Sequence, residues 1–159
     1  IPFRKRLLPH HNFKVLNKYN IMEIILKQQN ENVHFEALNE DGNSVHIDGA
    51  AAIGGENKGM RPMQLLLTSV AACSVFDVVS SLKKQREPVE NIQIRARGER
   101  AETGDVKPFT AIHLMFEFKG ALNEKKVNRA VRLSVEKYCS VAASLNPDIP
   151  VTYEAKILA

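Results

Sequence analysis

Between Pro62 and Pro88 the chain carries apolar residues around nearly the whole circumference of a helix, and this segment constrains the fold more than any other. Pro62 suits a first helical turn, where its missing N–H costs nothing. Leu65, Leu66, Leu67, Val70, Ala71, Val75, Phe76, Val78, Val79 and Leu82 then fall on most sides of the axis. Glu87-Pro88 stops the pattern, so the spacing predicts a helix from 62 to about 86. A helix apolar on most sides must be covered on most sides. One subunit of 159 residues has difficulty doing that, which favours a partner subunit. Thr68, Ser69, Ser74, Asp77, Ser80 and Ser81 break up the apolar run. It therefore differs from the ~20 predominantly apolar residues of a membrane span, and no membrane partner is expected.

The flanking segments read as strands. Residues 23–27, 33–38 and 44–48 are short β candidates, with a turn cluster at 40–43, and form a three-stranded meander. A loop of small residues, 49–59, contains Gly54-Gly55 and leads into the helix. Beyond it, 91–100 and 109–118 alternate apolar and polar residues and are joined by a hairpin loop at 101–107. Asn123 caps a second helix with Val127, Val131, Val135 and Tyr138 on one stripe, running past Cys139 to about Ser144. Asn146-Pro147 ends it, and 151–158 is a last strand. The order is βββ-α-ββ-α-β, an α+β domain over 22–159.

The net charge of +4 belongs to one end of the chain. Arg4, Lys5, Arg6, Lys14 and Lys18 lie in residues 1–21, which hold no acid. The remainder has 17 basic and 18 acidic side chains. A nucleic-acid-binding domain should carry its own basic stripe, so no nucleic-acid partner is expected. Residues 1–21 lack the apolar core of a secretory signal. They are set apart as a basic leader, either non-native or disordered, with Met22 an alternative first residue.

Chemistry rests on two cysteines, Cys73 and Cys139. There is no CxxC, and five scattered histidines give no metal-ligand spacing, so neither a metal nor another cofactor is expected. The glycine loop lacks the Lys-Ser/Thr end of a phosphate loop. Such cysteine usage fits a reducing, cytoplasmic setting. Cys73 sits deep in the first helix, beyond reach of the field at the helix N-terminus. Asp77, one turn on, disfavours a thiolate there unless a cation faces it. On spacing alone the two thiols are either inert, buried small residues or a working redox pair.

The stretch Gly54-Gly55-Glu56-Asn57-Lys58-Gly59-Met60-Arg61-Pro62-Met63-Gln64 and its leucine run, followed by Ala71-Ala72-Cys73-Ser74-Val75-Phe76-Asp77-Val78, resembles the first helix of OsmC-like proteins. Glu136-Lys137-Tyr138-Cys139-Ser140-Val141 resembles that family's second cysteine motif. The likeness covers 22–158 in the same element order. It implies an intertwined homodimer with two long helices at its centre. It also implies a thiol peroxidase of oxidative-stress defence. Cys73 would attack an organic hydroperoxide and become a sulfenic acid. Cys139 would condense with it to a disulfide, and a dithiol reductant, dihydrolipoyl or thioredoxin-like, would reset the pair. Arg61, Met63, Gln64 and Asp77 are the candidate pocket or electrostatic support.

The family's peroxidases place an arginine on the N-terminal strands and a glutamate after the proline of the helix start. Here no arginine occurs from Met22 to Met60, and Met63 follows Pro62. The match is closer to a less characterised branch of the family, with Pro-Met before the leucines and Asp four residues after the cysteine. A second reading is therefore a non-catalytic dimer binding an apolar or electrophilic small molecule at the subunit interface. A third is a structural or stress-response dimer with inert thiols.

Overall fold

The computed structural model describes residues 21–158; all but the last residue of the basic leader, with the expectations attached to it, lies outside the described residues. The chain packs as two units, one ending at Met60 and the other beginning at Arg61.

In the first unit, β1 (Ile25–Gln28), β2 (Phe35–Leu38) and β3 (Ser44–Ile47) form the expected antiparallel meander in the order β1-β2-β3. The register sets Lys27 opposite Glu36, and Glu36 opposite His46. β2 starts at Phe35 rather than Val33, for a local reason. The Asn30 side-chain oxygen accepts the N–H groups of Asn32 and His34 at 3.0 and 3.3 Å, which takes this stretch out of the strand ladder. At the β2–β3 turn Gly42 has φ 81°, a left-handed conformation that glycine adopts without a Cβ clash. Asp48, buried just after β3, organises the glycine loop. Its carboxylate accepts the N–H groups of Gly49, Lys58 and Glu56 at 2.7, 2.9 and 3.0 Å. The Lys58 N–H is the largest cause holding the Asp48 carboxyl below its ordinary range, and burial works against it. The rings of His34 and His46 meet nitrogen to nitrogen at 2.9 Å.

The second unit opens with α1 (Pro62–Lys84). The helix stops two residues before the expected end, by backbone geometry rather than by Pro88. Arg86 takes a left-handed φ of 57°, and the N–H groups of Arg86 and Glu87 close back onto the carbonyls of Lys83 and Leu82 at 3.0 and 3.1 Å. This is a Schellman cap with arginine where glycine is usual. β4 (Asn91–Arg100), β5 (Phe109–Lys119) and β6 (Val151–Leu158) follow the predicted spans closely. Their order is β4-β5-β6, with β4 antiparallel and β6 parallel to β5. A parallel neighbour needs a crossover, and the helical segment between β5 and β6 supplies it.

The alternation along β5 buries Ile112, Leu114, Phe116 and Phe118 on one face. Val70, Val78 and Leu82 of α1 join them, with Val127, Ala130 and Val131 of the second helix. Glu87 ties the start of that helix down, accepting the Asn123 N–H at 2.8 Å and the Lys126 ammonium at 2.5 Å. Within one chain α1 buries only one side. Phe76 is 71% exposed and Val79 45%, as expected of a helix too apolar for a single subunit to cover. Contrary to the expectation from its interrupting polar residues, α1 passes for a membrane span by length and composition, while one face of it packs on the hydrophobic core of this unit.

Candidate functional site

The second helix is not the single rod that its stripe predicts. α2 (Glu124–Leu133) gives way to a π turn over Ser134–Tyr138, and a short α3 (Ser140–Ala143) succeeds it. The Asn123 side chain caps α2, accepting the Lys126 N–H at 3.2 Å. In the π turn the Cys139 N–H donates to the Ser134 carbonyl at 2.9 Å, five residues back instead of four. This added residue in the turn rotates the downstream side chains about the helix axis. Tyr138, expected on the buried stripe, becomes exposed, and Cys139 takes the inner position at 4% exposure. Cys139 itself is extended, with φ −68° and ψ 98°, and its sulfur accepts the Ala142 N–H at 3.3 Å. The thiol is thus the N-cap of α3.

Cys139 lies against the α1 turn that carries Cys73. Its S–H points to the Val70 carbonyl at 3.8 Å. The same carbonyl accepts the Ser74 hydroxyl at 2.9 Å. The Ser134 hydroxyl donates to the Ser74 carbonyl at 2.7 Å and so ties the π turn to α1. Ser74 and Ser134 are both fully buried. Cys73, half-buried, and Cys139, buried, are free thiols, and the Cys139 sulfur contacts the α1 turn that leads to Cys73. Burial pushes the Cys139 thiol above the ordinary cysteine range. The Ser74 hydroxyl and the Ala142 N–H pull it back, while the Cys73 side chain adds to the upward push. Of the two residues Cys73 is the more exposed, and Cys139 is buried.

The remaining sequence candidates lie elsewhere on α1. Arg61 is the N-cap residue, twelve positions before Cys73 and so about 18 Å away along the axis at 1.5 Å per residue. That is further than an arginine side chain spans. The Gln64 side chain is spent on the helix start, accepting the Arg61 N–H at 2.9 Å. Met63 is half-buried and packs on the core. Asp77 is half-buried one turn after Cys73 and enters none of the ion pairs among the described residues. Among those residues no three His, Cys, Asp or Glu side chains are arranged to hold a metal.

Sequence reasoning passed over Ser74 and Ser134. A signal was present in each case: Ser74 stands midway between Val70 and Val78 on the buried stripe of α1, and Ser134 comes after Val127 and Val131 on that of α2. A lone hydroxyl on an otherwise apolar stripe needs a partner inside the core.

The chain is similar to a set of known proteins. The family model described as OsmC-like protein matches residues 55–154. Protein YhfA of Escherichia coli (strain K12) is 35% identical over 130 residues, covering 81% of this chain and 93% of the relative. A crystal structure of a protein from Aquifex aeolicus VF5 is 34% identical, with a TM-score of 0.72 over 89% of this chain and 100% of that one. An organic hydroperoxide resistance protein OsmC from Legionella pneumophila shares the fold, with a TM-score of 0.63 at 17% identity over 84% of this chain and 96% of that one.

Proposed function

The chain belongs to the OsmC-like family, and on that footing we propose that it is a cysteine-based thiol peroxidase acting on organic hydroperoxides in a reducing cytoplasm. The observation that supports this reading is that Cys139 lies against the α1 turn that leads to Cys73, both being free thiols from distant parts of the chain. The Cys73 thiolate attacks the distal peroxide oxygen. The O–O bond breaks, and the alcohol leaves with a proton, so that Cys73 becomes a sulfenic acid. The Cys139 sulfur then attacks the Cys73 sulfur. The S–O bond breaks, water leaves with the Cys139 proton, and the disulfide forms. A dithiol of dihydrolipoyl or thioredoxin type returns both thiols and is itself oxidised. The exposed side of α1 at Phe76 and Val79 supports a homodimer with these helices in contact. Arg61 and Met63 lie at the helix start, apart from the thiols within one chain.

A second reading is favoured by Asp77, half-buried near Cys73 with no ion pair among the described residues. It is a non-catalytic dimer that binds an apolar or electrophilic small molecule at the subunit interface. One equivalent of an organic hydroperoxide added to the reduced protein, with intact mass measured afterwards, separates the two. Loss of two hydrogens in the wild type, absent in Cys73→Ser and Cys139→Ser, is the outcome expected of a peroxidase. Both thiols still free after excess oxidant would remove the peroxidase and leave the binding dimer.

A further inference from the structure

We infer that Ser74 is a positioning residue for Cys139: its buried hydroxyl bonds the Val70 carbonyl while Cys139 is a thiol and turns to the Cys139 sulfur when that sulfur carries charge. This rests on the two-cysteine reading above and adds to it a residue that steadies the second thiolate.

The Val70 carbonyl is over-subscribed. It is the i−4 acceptor of the Ser74 N–H in α1, and it also receives the Ser74 O–H at 2.9 Å and the Cys139 S–H at 3.8 Å. A carbonyl has two lone pairs for these three donors. The long S–H contact is the weakest of them. Once Cys139 is deprotonated, one donor disappears and a charged acceptor takes its place. The Ser74 hydroxyl and the Cys139 sulfur share the Val70 carbonyl, at 2.9 and 3.8 Å, so the hydroxyl stands beside the sulfur that gains the charge, and a bond to it would favour the thiolate. Turning the O–H from Val70 to the sulfur leaves the carbonyl its helical bond, so no group is orphaned. The Ala142 N–H, at 3.3 Å, is a second donor already in place. The Ser134 hydroxyl grips the Ser74 carbonyl at 2.7 Å, so the backbone under the switching hydroxyl is held.

The consequence falls on the reset step. A reductant thiolate attacks the more accessible Cys73 sulfur. A mixed disulfide forms there, the Cys73–Cys139 bond breaks, and its electron pair leaves on Cys139. Ser74 and Ala142 receive that charge in a site otherwise screened from water.

The test uses a Cys73→Ser background, in which Cys139 is the sole thiol. Its ionisation is tracked by ultraviolet thiolate absorbance and by alkylation rate against pH, with and without Ser74→Ala. The expected result is an upward displacement of the profile by about one pH unit, or a tenfold slower alkylation at a fixed lower pH. Ser74→Thr keeps the O–H and is expected to stay with the parent profile. Superimposed parent and Ser74→Ala profiles, with unchanged circular dichroism, would overturn the inference. An equal displacement in the Thr and Ala variants would do so as well, by assigning the effect to packing. The readout needs no peroxide. A displacement without peroxidase activity leaves the role of Ser74 standing, and activity without a displacement removes only that role.

Discussion

Ser134→Ala probes the shortest side-chain bond between the π turn before Cys139 and the α1 turn of Cys73 among the described residues. The Ser134 hydroxyl donates to the Ser74 carbonyl at 2.7 Å, and both residues are at most 1% exposed. Removing it leaves the carbonyl its own helical partner, so the loss is that of one buried bond, about 1 kcal/mol net. The oxygen-sized gap adds a few tenths at ~24 cal/mol per Å³. The expected destabilisation is therefore about 1–1.5 kcal/mol, which in a chain of this size lowers the melting midpoint by roughly 2–6 °C. Urea unfolding of the reduced protein, monitored by circular dichroism at one fixed concentration, measures it, with the slope unchanged if only stability is altered. Ser144→Ala is the control. Its hydroxyl also donates to a helical carbonyl, that of Ser140 at 2.8 Å, but at an exposed position, and about 0.5 kcal/mol or less is expected. Equal effects of the two substitutions, or a Ser134→Ala effect below ~0.3 kcal/mol, would refute the claim that this bond clamps the two cysteine segments together.

Asp48→Asn should loosen the 49–58 loop, seen as faster amide exchange at Lys58 and Glu56. Because the native carboxyl is held below its ordinary range, its stabilisation is complete above the unfolded-state value and is lost as pH falls through the lower native value. Acid unfolding curves of the Asn variant should be flatter over that window, and parallel curves would contradict the assignment. Arg86→Gly relieves a left-handed φ of 57° and should stabilise by up to about 1 kcal/mol in denaturant titration. Gly98→Ala drives a Cβ into the Phe109 ring and should cost about 1–3 kcal/mol; Phe109→Leu in the same chain should recover part of it in a double-mutant cycle. Phe76→Glu charges the exposed apolar side of α1. If that side meets a second subunit, sedimentation should show association weakened at least tenfold, since a buried Phe contributes about 1.5–3 kcal/mol. An unchanged sedimentation profile would move the interface elsewhere.

Much of the fold is written in local periods. The alternation of Ile112, Leu114, Phe116 and Phe118 marks β5 because side chains on a strand repeat every two residues, wherever the strand finally lies. Pro62 and the apolar stretch after it mark α1 for the same kind of reason. The end of α1 and the break in the second helix are different. Ser134–Tyr138 contains nothing that forbids an α-helix, so the stripe through Val127, Val131, Val135 and Tyr138 reads as continuous. The five-residue bond in the π turn accompanies two ties that exist only after folding, Ser134 to Ser74 and the Cys139 sulfur to Val70.

The candidate site divides along the same line. The sequence alone determined that one cysteine sits in the long helix and the other near the end of the second helical segment, that α1 is apolar on most sides, and that family motifs surround both thiols. It did so because composition, periodicity and motif are properties of neighbouring residues. Tertiary structure alone decided that Cys139 lies against the α1 turn that leads to Cys73, and that Cys139 turns inward while Tyr138 turns out. Those outcomes depend on contacts between segments some sixty residues apart, such as the Ser134–Ser74 bond. No local pattern encodes them, because their free energy appears only when both partners are buried together.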